Sequence, residues 1–199
     1  MEIAVNDTTL SIKGDLSDSM SEQEFFDFCQ QNDLWRIERD EKKQIIIMPP
    51  TNASTGIKNT NLVTELTIWN RRESLGVCFD SSTGFTLPDG SVRSPHASWL
   101  AIEKWNQLSN KEKNQFAHIC PDFVIELKSN SDNLKSLTAK MGKWIKNGCS
   151  LAWLINPEDK TVSIYRKDGT IDKVTGFDKT ISGEDLLPGF ELDLSILKD

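Results

Sequence analysis

The chain has 199 residues, a formal charge of −7 and a hydrophobic content of 37% that includes six Trp and nine Phe. A chain of this length suits one domain with extensions and buries roughly 70% of its unfolded surface, so it folds without disulfides or a structural metal. The negative charge argues against a protein that coats nucleic acid nonspecifically, because phosphate binding rests on clustered Lys and Arg. It leaves open a metal-dependent hydrolase, whose site needs carboxylates.

Four cysteines, at 29, 78, 120 and 149, form no CxxC pair, which excludes a zinc ribbon and a disulfide framework. His118 and Cys120 could share a metal, but two ligands fall short of a zinc site. The N-terminus lacks a basic region followed by an apolar stretch, and no run reaches membrane-spanning length. The expectation is a soluble, cytoplasmic protein with a polar segment over residues 1–20 and a single domain over 21–199.

In chain order, Ser21-Glu22-Gln23-Glu24 has capping-box spacing and is followed by Phe25, Phe26 and Phe28, which predicts a short helix. Trp35–Arg39 alternates as a strand does, and Gln44–Met48 supplies its partner in a hairpin ended by Pro49 and Pro50. From Ser54 to Arg72 the period becomes helical, with Leu62, Leu66 and Trp69 on one face. Glu65 lies at the flank of that stripe, either reaching solvent or directed into a polar site. Short strands follow over 77–80 and 84–87, then a Pro88-Asp89-Gly90 turn and a further strand from Ser91. A polar helix is expected near Ser109–Gln115 and a strand over Phe123–Lys128. Asn133–Asn147 forms an amphipathic helix with Leu134, Leu137, Met141, Trp144 and Ile145 on its apolar face, closed by Gly148. Leu151–Ile155 is a continuous apolar run, as a central strand buried on both faces would be. The order strand–helix–strand over 123–155 predicts a crossover between two parallel strands. In the tail, residues 189–194 alternate apolar and acidic side chains and suit an added strand.

The segment Cys120-Pro121-Asp122-Phe123-Val124-Ile125-Glu126-Leu127-Lys128 holds the candidate chemistry. Strand residues two apart share a face about 7 Å apart, so Val124, Glu126 and Lys128 point one way and Phe123, Ile125 and Leu127 the other. A carboxylate beside an ammonium among apolar strands is costly to bury without good partners or a task. Phosphodiester hydrolysis is one such task, since a carboxylate-held cation polarises phosphate and a lysine orients the attacking water. The spacing alone fits an ordinary edge-strand ion pair equally well. Asp122 shares parity with Glu126 but stands about 13 Å away along the strand, too far to share one Mg²⁺. A second ligand is therefore expected from the preceding strand, where Arg93-Ser94-Pro95-His96-Ala97-Ser98-Trp99 stands.

At this point a family resemblance becomes specific. The segments SSTGFTLPDGSVRSPHASWL (81–100), CPDFVIELKSNSD (120–132) and KMGKWIKNGCSLAWLINPEDKTVSIYR (140–166), with the helix entry over 51–61, resemble the Uma-type restriction-endonuclease-like family of the PD-(D/E)xK nuclease superfamily. The matching stretches cover most of residues 45–166. The resemblance implies an α/β fold with a mixed β-sheet flanked by helices, a divalent metal (Mg²⁺ or Mn²⁺) and DNA as substrate. It makes Glu126 the metal-binding acid, Lys128 its lysine and Glu65 an auxiliary acid. Lys140 falls where such proteins carry a further polar or basic residue, and it equally suits a solvated flank.

The chain departs from the family pattern at one position. The family reads Arg-x-Pro-Asp, with the Asp as a metal ligand, and this chain reads Arg93-Ser94-Pro95-His96. Imidazole binds transition metals but serves hard Mg²⁺ poorly. The substitution implies a nuclease shifted toward Mn²⁺, a weakened nuclease, or a relative that binds nucleic acid or a protein partner without cutting. Relatives of this fold commonly pair, so a homodimer would suit a two-strand substrate.

Overall fold

The strand Phe123–Leu127 is buried along its whole length, and a six-stranded sheet is assembled around it. The structure, a computed structural model, describes residues 2–6, 9–13 and 20–198. In chain order its elements are β1 (Glu2–Asn6), β2 (Thr9–Lys13), α1 (Glu22–Gln31), β3 (Arg36–Arg39), β4 (Ile45–Met48), α2 (Ala53–Glu73) and β5 (Gly76–Phe79). They continue with β6 (Phe85–Thr86), β7 (Val92–Arg93), β8 (Ala97–Ala101), α3 (Ile102–Gln107), α4 (Asn110–Lys113), β9 (Ala117–His118) and β10 (Phe123–Leu127). The last are α5 (Leu134–Lys146), β11 (Leu151–Asn156), β12 (Thr161–Arg166), β13 (Ile171–Thr175), β14 (Thr180–Ser182) and β15 (Glu191–Asp193). The chain divides into two compact units, one of residues 1–50, 82–94 and 108–119, the other of 51–81, 95–107 and 120–199.

The first unit holds a sheet in the order β1-β2-β4-β3-β7-β6-β9. The expected hairpin is present, with Arg36 opposite Met48 and Arg39 opposite Ile45. The capping box at the start of α1 forms as its spacing predicts: the Ser21 hydroxyl accepts from the Glu24 amide, and the Glu24 carboxylate accepts from the Ser21 amide at 2.8 Å. Phe25, Ile37, Ile45 and Val92 make a small core. Buried Glu38 accepts from the Arg93 guanidinium and from the Ser94 amide, each at 3.1 Å, which satisfies its desolvated carboxylate.

The second unit holds a mixed sheet in the order β13-β12-β11-β10-β8-β5. β10 and β11 run parallel with α5 between them, while β8 and β12 run antiparallel to their neighbours. β11 is buried at every residue, in agreement with its unbroken apolar run. Alternation sorts β10 cleanly: Phe123, Ile125 and Leu127 join Ala97, Trp99, Trp153 and Ile155 in one core cluster. Leu62, Leu66 and Trp69 of α2 belong to the same cluster, so α2 covers that face. The opposite face, with Val124 and Glu126, meets α5 through Trp144. Asn133 caps α5 by accepting from the amides of Lys135 and Ser136, and Gly148 past its end adopts φ +108, a conformation that favours glycine. The expected tail strand is β15, which pairs with β14 and buries Leu192.

One expectation needs correcting. Leu134, expected on the apolar face of α5, is 42% exposed, because it is the first helical residue and has no turn before it to shelter it. Among the described residues no helix is long and apolar enough to cross a membrane. Leu66→Ala, at a fully buried site, should cost about 2–5 kcal/mol, whereas Leu134→Ala should stay within about 0.5 kcal/mol. Urea titration of both variants checks the contrast.

Candidate active site

The site grows from the register of β8 and β10. Ile125 pairs with Ala97, and the His96 amide donates to the Ile125 carbonyl at 3.0 Å. His96 and Glu126 therefore lie one step beyond that pair, side by side on the face turned toward α5. The His96 Nδ1 lies 3.0 Å from the Glu126 Oε2. The Leu127 amide donates to the same Nδ1, at 3.3 Å.

Glu126 is fully buried, and its other oxygen is held from α5. The Lys140 ammonium lies 2.8 Å from Oε1, and the buried Trp144 indole N–H donates to the same oxygen at 2.9 Å. Residues four apart on a helix stack on one side, which lets Lys140 and Trp144 reach a single oxygen. Lys140 and Trp144 supply donors that the carboxylate loses on leaving water, and His96 lies against its other oxygen. Trp144 reads in the sequence only as a core aromatic. The signal for its polar role is its spacing from Lys140 on the helix that follows the Glu126 strand.

Of the residues singled out by sequence, the structure brings together Glu126, His96 and Lys140. Lys128 goes elsewhere: its ammonium pairs with Glu158 at 3.0 Å and donates to the Ser129 carbonyl at 3.2 Å. Glu65 is half-buried on α2, the helix on the other face of the sheet, and makes no hydrogen bond or ion pair with the cluster among the described residues. Asp122 accepts from the Ala101 amide at 3.0 Å and from Lys104 at 2.5 Å, so it braces the start of β10 as its distance from Glu126 implies. The His118 imidazole faces Glu22 at 3.1 Å. The Cys120 thiol faces the Trp144 carbonyl at 3.7 Å.

The model of the Uma2 family, described as "Putative restriction endonuclease", matches residues 22–195. The chain belongs to the Uma2 family. Among solved structures, this Uma2 chain is similar to a protein of Anabaena variabilis described as a "putative nuclease belonging to DUF820". The two share 21% identity at a TM-score of 0.68, over 81% of this chain and 88% of that one. That likeness establishes a restriction-endonuclease-like α/β fold with mixed sheet and flanking helices. No curated protein is similar enough to match.

The donor set can be tested against the divalent metal that such a family implies. Glu126 offers a carboxylate and His96 an imidazole, a mixed O,N pair that suits Mn²⁺ better than Mg²⁺. Among the described residues no group of three or more His, Cys, Asp or Glu side chains is placed to hold a metal. Lys140 balances the single negative charge of Glu126. Two such side chains make an incomplete set, which substrate oxygens and water would have to complete.

Removing Lys140 should expose how much the buried charge depends on it. Lys140→Met is expected to destabilise the protein by about 3 kcal/mol, as for a broken buried pair. Lys128→Met, which faces the exposed Glu158, should cost about 1 kcal/mol or less. Denaturant midpoints of the two variants supply the comparison; equal losses would contradict these assignments.

Proposed function

We propose that this Uma2 protein is a divalent-metal-dependent endonuclease acting on DNA, with Glu126 as its metal-binding acid and with His96 weakening its use of Mg²⁺. The supporting observation is the convergence of Glu126, His96 and Lys140 on one face of the central sheet. Glu126 and His96 would hold the cation, which supplies polarisation of a phosphoryl oxygen and an acidified water. Lys140 neutralises Glu126 in the ligand-free arrangement and stands ready to stabilise negative charge on a phosphate. It takes the role that the (D/E)xK pattern gives to Lys128, whose ammonium is committed to Glu158. Trp144 keeps the Glu126 carboxylate from rotating by holding Oε1. Pairing of two copies would present two such sites to the two strands of a duplex.

A second reading is favoured by the Lys140–Glu126 contact at 2.8 Å. A carboxylate already balanced by an ammonium attracts a dication less strongly, which suits a relative that binds DNA or a protein without cutting.

Plasmid nicking with Mn²⁺ and with Mg²⁺ separates the two. The endonuclease reading predicts Mn²⁺-dependent nicking that falls roughly 10²-fold or more in Glu126→Ala and Lys140→Met, little change in Lys128→Met, and a gain of Mg²⁺-dependent cleavage in His96→Asp. Nicking that survives Glu126→Ala would contradict it. Silence of both the natural protein and His96→Asp, together with salt-sensitive DNA binding, would select the second reading.

A further inference from the structure

The first unit contains a cavity of about 440 Å³ that the nuclease reading does not use. Its lining includes Arg39, which is only 3% exposed. A buried guanidinium usually faces a carboxylate or a full set of carbonyls, because its five donors are expensive to strand. Arg39 has neither. Its one hydrogen bond among the described residues runs from Nη1 to the Met20 carbonyl at 3.3 Å, and its Nε is buried with no acceptor. The guanidinium lies over the Phe25 ring at 4.6 Å, a contact that orients its plane and satisfies no N–H. Burial pushes the Arg39 pKa down, against the pull of Glu22 and Cys29.

The other charges at the cavity are largely committed. Glu22 faces His118 at 3.1 Å, and Glu112 is tied into the Ser109 capping box. Lys111 stands exposed at the rim. The apolar part of the wall comes from Phe26, Val92 and Phe116, with the two Phe rings packed edge-on at 5.1 Å. A guanidinium in the lining of a cavity that also presents aromatic rings is complementary to an anionic head group on a flat apolar body.

We propose that this cavity binds a small aromatic anion, a carboxylate or phosphate monoester, whose charged head is received by Arg39. Carboxylate and phosphate offer the same acceptor geometry to a guanidinium, and the size of the cavity leaves room for one ring behind either head. This site is independent of Glu126, so its existence does not depend on nuclease activity.

The test is titration of the full-length protein with benzoate and with phenyl phosphate, followed by the ¹⁵N–¹H cross-peak of the Arg39 Nε–H and by thermal melting. At least one of the two anions should saturate the peak shift at millimolar concentration and raise the Tm, and whichever does so names the head group. Neutral benzamide should bind about tenfold more weakly or worse, and in Arg39→Met, which lacks the reporter peak and is followed by thermal melting alone, the anion-induced stabilisation should weaken by a similar factor. If Arg39→Met does not fold, Arg39→Lys, which keeps the charge and loses the fork, should weaken binding and serves in its place. No saturable shift with either anion would overturn the proposal, and so would equal binding of benzamide or an undiminished response in the variant. Inorganic phosphate saturating the peak as readily as the aromatic anions would overturn the aromatic part of the assignment.

Discussion

The desolvated carboxylate of Glu126 is the constraint around which the second unit is arranged. It sits in the middle of a strand buried along its whole length, where an unpartnered charge would cost several kcal/mol. Three side chains meet that cost: Lys140 and Trp144 donate from α5, and His96, just before β8, lies against the second oxygen. Each depends on a separate feature of the fold. The antiparallel register of β8 and β10 sets His96 opposite Glu126, and the crossover helix sets the other two above it. A slip of one residue in the strand would turn Glu126 into the core made by α2 and leave the donors unmatched.

The same arrangement bears on chemistry. A carboxylate whose charge is balanced by an ammonium and whose second oxygen faces an imidazole is a different cation site from two acids and a lysine. It carries less negative charge and one nitrogen donor, both of which disfavour a hard, strongly hydrated ion. His96 is therefore the residue through which this chain differs most from the Arg-x-Pro-Asp pattern, while Arg93 of the same segment serves the first unit by pairing with Glu38.

Much of this could be read from the sequence, and the reasons for the remainder are physical. Strand parity placed Glu126 opposite the Phe123–Leu127 face, and helical periodicity found α2 and α5. Parity also placed Lys128 with Glu126, but it constrains only the direction in which the side chain leaves the backbone. A four-carbon stem lets the ammonium choose among nearby carboxylates, and Glu158, on the turn after β11, is the one it meets. Lys140 presented the converse difficulty: at the edge of an apolar stripe, helical periodicity suits a solvated flank as well as a buried contact. The polar role of Trp144 was hidden because its N–H has no sequence signature apart from the partner it finds. Glu65 shows the limit of angular reasoning, since its distance from the apolar stripe says nothing about which face of the sheet α2 covers.

The proposed endonuclease reading requires a divalent ion to bind at Glu126. Electron paramagnetic resonance of Mn²⁺ titrated into the natural protein and into Glu126→Gln tests it most directly, because Gln keeps the shape of the side chain and removes its charge. The account predicts one saturable Mn²⁺ site in the natural protein that is lost or weakened roughly 10-fold to 100-fold in the variant. Equal Mn²⁺ affinity in the two proteins would contradict it.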